Sequence, residues 1–253
     1  RVTPASSFSG ASSQPLLSVP LDLDADYLAA VESGDTKAQQ RMVDQAAASS
    51  MKGLRLQNAG TPEHMFHGSL HNDSSIFALD KTPHGDPIAP NRIGRGIDKL
   101  GFWFTSSKGQ AAAYGKDITN KRQGRIFDVY IDIKNPLEFQ NKDDFNAWLE
   151  QYALHHGADE QFVKDTSGTV QRPPLGAFSA EAVRDRLRIG GKDGIIIWRS
   201  DIDGRFGLED GEGSPAWAVA LDSNQIKSAD PITRADAGNV IPLSERFDSA
   251  KND

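Results

Sequence analysis

Cysteine is absent from all 253 residues. That excludes disulfide frameworks, thiolate nucleophiles and Cys-ligated zinc. It leaves the redox compartment open, because a chain without cysteine fits either side of a membrane. Long apolar runs are also missing. The most apolar stretch, Gly194–Trp198, is of strand length, far below the ~20 residues of a membrane span. The first residues are polar and Ser-rich, unlike the apolar centre of a signal peptide. The chain starts at Arg1 rather than Met, which reads as a piece of a longer protein whose targeting information lies elsewhere. Neither the three-glycine turn of dinucleotide folds nor the Gly-Lys-Ser/Thr phosphate loop occurs. Positive charge is in short supply: 28 Lys and Arg stand against 35 Asp and Glu, for a net charge of −7. A general binder of phosphate backbones would need a basic face. The local basic residues Lys116, Lys121, Arg122 and Arg125 are the exception.

What is present points to a real core beside solvated segments, with 38% hydrophobic residues and a mean hydropathy of −0.50. Residues 1–20 are rich in Ser, Pro and Gly and read as a flexible arm. Residues 21–60 read as a helical hairpin. Asp24 or Asp26 is expected to cap its first helix, Gly34-Asp35 to break it, and Thr36–Met51 to form the second. Ala38, Met42, Val43, Ala46 and Ala47 make an apolar stripe that should dock on a neighbour. Residues 61–230 carry the main domain and 231–253 a polar tail. Strands are expected around His64–His67, Gly101–Thr105, Arg125–Ile133, Gly194–Trp198 and Ala216–Leu221, with a short one at Gln225–Ser228. Helices are expected at Lys108–Gly115, after Asp143 or Asp144, and after Ser179. In Arg125–Ile133, alternation predicts one buried and one wet face. Irregular mixing of strands and helices makes the fold class α+β.

Several constellations could carry chemistry. His64, His67 and His71 have the spacing of zinc ligands on a helix. Met65, Phe66 and Gly68 read as strand instead, which turns His64 and His67 to opposite faces, so no metal is expected. Carboxylates are plentiful, but no pair stands out as the acid and base of a glycosidase. Gly211–Pro215 does not match the nucleophile elbow of a serine hydrolase. The aromatic residues Phe102, Trp103, Phe104 and Tyr114 surround a strand-to-helix turn made of Thr105, Ser106, Ser107 and Lys108. On propensity alone they are core residues. Trp103 and Tyr114, eleven positions apart, are also spaced to face each other across a slot. Each face would contribute about 1–3 kcal/mol against a flat ring, and more against a cationic one.

The succession Phe66-His67-Gly68-Ser69, a loop, Gly101–Thr105 and then Ala111–Tyr114 resembles the nicotinamide-binding framework of ADP-ribosyltransferases. The closest pattern is the His-Tyr-Glu branch shared by diphtheria toxin and the poly-ADP-ribose polymerases. Val129–Ile133 followed by Asn135-Pro-Leu137, then Asp193–Ile197, Ala218–Ser228 and the tail Ala237–Asp248, resemble the version found in large phage and mobile-element polyvalent proteins. The resemblance spans about residues 25–250. It implies a split β-sheet core with flanking helices and NAD+ as ADP-ribose donor. His67 would then bond a ribose hydroxyl, and the backbone of Gly68 would hold the nicotinamide amide. Tyr114 would stack on the ring. Trp103 takes the place of a second tyrosine. Ser69, Ser106 or Ser107 would add hydrogen bonds, with Phe104 alongside. Arg92 and Arg95 suit the diphosphate, because paired guanidiniums match phosphate oxygens, although they read more readily as solvated loop residues.

The family also needs a carboxylate beside the ribose. Counting back from Gln225 by the family's spacing lands on Trp217, which is no acid. Gln225 itself is excluded, since eight strand residues span ~26 Å. Glu209, Asp210 and Glu212 are nearest, and Glu212 is the candidate. The implied function is transfer of ADP-ribose to a bacterial macromolecule with release of nicotinamide. It suits a phage-encoded or toxin-like effector acting in the bacterial cytoplasm as a monomer, with protein favoured over nucleic acid as acceptor and no membrane partner. The alternative is a catalytically degenerate NAD-binding or interaction module of a larger phage protein.

Overall fold

The computed structural model describes residues 21–58, 60–69, 100–117, 122–155, 180–198, 215–235 and 237–248. Helices α1 (Leu21–Ser33) and α2 (Thr36–Ser50) form the expected hairpin. Gly34 turns it with φ +72°, a conformation a Cβ disfavours. Asp35 caps α2 by accepting from the Ala38 amide at 3.0 Å. The first helix is not capped by Asp24 or Asp26, since it already begins at Leu21. Asp24 instead accepts from the backbone and hydroxyl of Ser244, at the start of α6 (Leu243–Arg246).

Two sheets build the centre. One has the order β11-β7-β3, from β3 (Met65–Ser69), β7 (Arg125–Ile131) and β11 (Ile226–Ser228). The other has the order β4-β10-β9-β8, from β4 (Phe102–Phe104), β8 (Pro136–Phe139), β9 (Gly194–Trp198) and β10 (Pro215–Ala220). All pairings are antiparallel except β8 with β9. Pro136, which lacks an N–H, opens the edge strand β8, where no ladder bond is lost. Two short hairpins, β1 (Gln57–Asn58) with β2 (Thr61–Pro62) and β5 (Lys116–Asp117) with β6 (Arg122–Gln123), flank the sheets.

Burial follows the alternation of each strand. Met65, Phe127, Val129 and Ile131 of the first sheet meet Phe102, Phe104, Ile196 and Ala218 of the second. On the far side of the second sheet, Ile195, Ile197 and Val219 pack against Phe145 and Leu149 of α4 (Lys142–His155) and Val183 and Leu187 of α5 (Ala180–Ile189). Helix α4 is capped by Asn141, which accepts from the Asp144 amide at 2.9 Å, rather than by Asp143 or Asp144. Ser179, the expected cap of α5, lies outside the described residues.

The face of β7 expected to be wet is covered. Tyr130 is 1% exposed because the stripe of Val43, Ala46 and Ala47 packs over it with Leu243 and Phe247. The stretch read as a polar tail is likewise docked as far as Asp248. Arg246 is fully buried and donates to the Tyr27 hydroxyl at 2.9 Å and the Asp230 carbonyl at 2.7 Å. An α+β split sheet with flanking helices is therefore the fold.

Gln225 is a knot in it. Strand β10 ends at Ala220, and Gln225 sits in the 3₁₀ turn that follows. Its side-chain oxygen accepts from the Leu221 and Asp222 amides at 2.9 and 2.8 Å. Its nitrogen donates to the Asp132 and Asp193 carbonyls at 3.0 and 2.8 Å. Every hydrogen-bonding capacity of the amide nitrogen is thus used on backbone. Gln225→Glu aims an oxygen at two carbonyls. It should lower unfolding free energy by about 2–3 kcal/mol, measured by urea denaturation; a change within error would contradict this role.

A second polar group fastens the hairpin to the sheet. His64 Nδ1 lies 2.8 Å from the Asp128 carboxylate, and Nε2 lies 3.1 Å from the Tyr130 hydroxyl. That hydroxyl donates to Asp44 of α2 at 2.7 Å, so its oxygen must accept from His64. Both ring nitrogens then donate, which requires the imidazolium. The hydrogen bond to Asp128 is the main reason the His64 pKa lies above the ordinary 6.5, opposed by burial. A raised folded pKa stabilises fully below the unfolded value, and the contribution fades as pH climbs through the folded one. Melting temperature should therefore drop as pH rises above about 6.5, and His64→Gln should flatten that slope.

Candidate active site

Strands β3 and β4 touch at one point and then part. Phe66 and Thr105 exchange backbone hydrogen bonds of 2.7 and 3.0 Å, the isolated bridge that joins the two sheets. In a continued antiparallel ladder the next bonded pair would be Gly68 with Trp103. Instead the Trp103 carbonyl lies 2.7 Å from His67 Nδ1. A carbonyl only accepts, so Nδ1 carries the proton. Burial outweighs this hydrogen bond and pushes the His67 pKa below its ordinary value, which favours the neutral ring. Its Nε2 is then an acceptor. Alternation along β3 turns the N–H and C=O of Gly68 to the same side as those of Phe66, that is, into the split.

Helix α3 (Lys108–Tyr114) is set against this point by its own turn. Thr105 Oγ1 donates to Gln110 Oε1 at 2.8 Å and accepts from the Ser107 amide at 3.2 Å. Ser107 is buried, and its hydroxyl caps α3 by accepting from the Gln110 amide. A Cβ on Gly68 would lie 1.8 Å from the Ala111 carbonyl oxygen. The missing side chain thus lets α3 approach, besides any service to a ligand. Gly115 ends α3, and a Cβ there would meet nothing closer than 3.6 Å.

The aromatic side chains divide between the two faces of the joined sheet. His67 points inward, its ring centroid 5.7 Å from Phe104 and 6.3 Å from Phe127. Phe104 is a core residue, 1% exposed. Trp103 pairs with Val219 across β10 and shares the outer face with it. The expected facing pair of Trp103 and Tyr114 is a trio. Trp217 stands edge-on to both, 6.4 Å from Trp103 and 5.7 Å from Tyr114. Tyr114 is 61% exposed and presents a ring to solvent.

Trp217 stands where the resemblance implies a carboxylate, and nothing in that pattern marks it as an aromatic neighbour of Trp103 and Tyr114. The signal that would have found it is its period-two relation to Val219 on a strand beside Trp103. A register shift between Pro215 and Trp217 in the pairing with β9 marks a bulge, a feature that re-aims side chains. Ser69 lies at the end of β3 and is buried. Arg92, Arg95 and Glu212, like Glu209 and Asp210, lie outside the described residues, as does His71. His64 and His67 serve different faces of β3, the first bound to Asp128 and the second to Trp103.

A split sheet with flanking helices is consistent with the fold of an ADP-ribosyltransferase. Comparison with protein families agrees: a family model described as ADP-ribosyltransferase in polyvalent proteins matches residues 57–233. The chain belongs to this family, whose members use NAD+ as donor substrate. The match begins at β1 and runs past β11, leaving α1, α2 and α6 outside. No curated protein and no solved structure matches the chain.

Gly68→Ala should displace α3, carrying Tyr114 away from Trp217, and destabilise the fold by about 3 kcal/mol through overpacking. Gly115→Ala should be tolerated. Thermal melts with tryptophan fluorescence compare the two; equal effects would show that close packing at Gly68 is not limiting.

Proposed function

We propose that the chain is an NAD+-dependent ADP-ribosyltransferase of the His-Tyr-Glu type that modifies a bacterial macromolecule. The observation that supports this best is the split itself. The neutral His67 offers an acceptor at Nε2, and the Gly68 backbone turns a donor and an acceptor to one side. A ribose hydroxyl fits the first and a carboxamide, which both donates and accepts, fits the second. Tyr114 and Trp103, with Trp217 against both, supply aromatic faces for a pyridinium ring. Ser69, next in the chain at the end of β3, is assigned a further hydrogen bond to the ligand.

In the reaction the bond between ribose C1′ and the nicotinamide nitrogen breaks, and its electron pair leaves with nicotinamide. The acceptor's nucleophilic atom bonds to C1′ and loses its proton. A carboxylate stabilises the positive charge that builds on the ribose. Trp217 fills the position where the family's strand would carry it, so Glu212 is assigned this role. It is tied by three covalent steps, at most ~11 Å, to Pro215, two residues before Trp217 on the strand. Arg92 and Arg95 are assigned to the diphosphate. A protein acceptor suits the acidic chain better than nucleic acid, and a phage-delivered or toxin-like effector working as a monomer in a bacterial cytoplasm suits the family. Residues 61–230 are proposed as the catalytic domain, with the hairpin of residues 21–60 as its appendage.

Trp217 also favours a second reading, an NAD-binding module that transfers slowly or not at all. Incubation with labelled NAD+ and a bacterial lysate separates the two. Label transfer and nicotinamide release that fall at least about 100-fold in His67→Ala and Glu212→Gln, with melting temperature kept, are the expected result. Binding of NAD+ without release of nicotinamide would establish the module instead.

A further inference from the structure

The register of β3 and β7 lines up residues that the proposed site does not yet use. His67 pairs with Phe127 and Ser69 with Arg125, so all four share the inner face. The row runs from the split toward the start of β7. Within it the Arg125 guanidinium stands 4.8 Å from the centre of the Phe127 ring, and that ring is 6.3 Å from His67. The Arg125 side chain is about half exposed, and one of its terminal nitrogens lies 3.3 Å from the Asp230 carboxylate. Phe127 therefore holds the guanidinium against the inner face, and a guanidinium has more donors than the contact with Asp230 uses. Diagonal neighbours of this kind are ~7–8 Å apart at their backbones, within the reach of an arginine side chain. A dinucleotide whose ribose hydroxyl bonds His67 carries its diphosphate one linkage further, on the 5′ carbon.

We infer that Arg125 is a further donor to the diphosphate of NAD+, beside Arg92 and Arg95 assigned to it above, an assignment that rests on the NAD+ reading of the split. Planar forked donors suit phosphate oxygens, and Phe127 removes much of the ordering cost by holding the fork in place beforehand. Asp230 holds the side chain in position when no anion is bound.

The test titrates intact wild type, Arg125→Gln, Arg125→Lys and Asp230→Asn with NAD+ and, separately, with nicotinamide. Tryptophan fluorescence reports binding and thermal melts report folding. Arg125→Gln should weaken NAD+ about 10–100-fold, the range of a charged hydrogen bond, and leave nicotinamide within twofold. Arg125→Lys should fall between, since it keeps the charge and loses the fork. Asp230→Asn should bind NAD+ at least as tightly as wild type. Wild-type affinity for NAD+ in a folded Arg125→Gln overturns the inference. So does an Asp230→Asn loss equal to that of Arg125→Gln, which would mean that only the ion pair matters. Wild type that binds neither ligand would instead remove the NAD+ reading on which the inference stands.

Discussion

The bridge between Phe66 and Thr105 governs the rest of the molecule. It joins the two sheets, and just beyond it the ladder is not continued. The Trp103 carbonyl that would have paired with β3 is satisfied by the His67 ring instead. An unsatisfied buried carbonyl would be costly, so the imidazole stabilises the parting of the strands while its second nitrogen remains an acceptor. The same residue is part of the framework and part of the proposed chemistry. Burial reinforces this by keeping the ring neutral, the form with one donor and one acceptor.

Helix α3 depends on that parting in turn. Its approach needs Gly68 without a Cβ, and its start is fixed by Thr105 and Ser107. The Ser107 hydroxyl, expected to add a ligand hydrogen bond, accepts from the Gln110 amide and so positions the helix that carries Tyr114. Tyr114 then reaches the second sheet through Trp217. The aromatic trio is therefore held from both sides of the split: Trp103 and Trp217 by the four-stranded sheet, Tyr114 by a helix seated on β3.

Much of this was legible where local punctuation is strong. Gly34 and Gly115 mark boundaries by mechanisms that act within a few residues, and β9 falls on the residues expected. The His-Gly pair and Tyr114 were singled out by the resemblance to ADP-ribosyltransferases rather than by local punctuation. One error is local, the cap of α4, which is Asn141 rather than Asp143 or Asp144; the others are long-range. Nothing near Tyr130 in sequence announces that α2, some ninety positions earlier, covers it. Asp24 looks like a local cap and serves a helix two hundred residues away. Gln225 invited comparison with a catalytic acid and is a four-way backbone tie. Trp217 was judged by the charge it lacks rather than by the neighbours its register gives it. The roles assigned to Arg92, Arg95 and Glu212 depend on residues outside those described.

The two flanks of the family domain are knitted to each other. Asp24 holds Ser244, Tyr27 holds Arg246, and Leu23 shares a core with Phe247. The polypeptide therefore enters and leaves this unit at one spot. A module with adjoining entry and exit can hang as a side branch on a longer chain without stretching it. Tension along such a chain would load this clasp first and leave the gap between β3 and β4 unstrained.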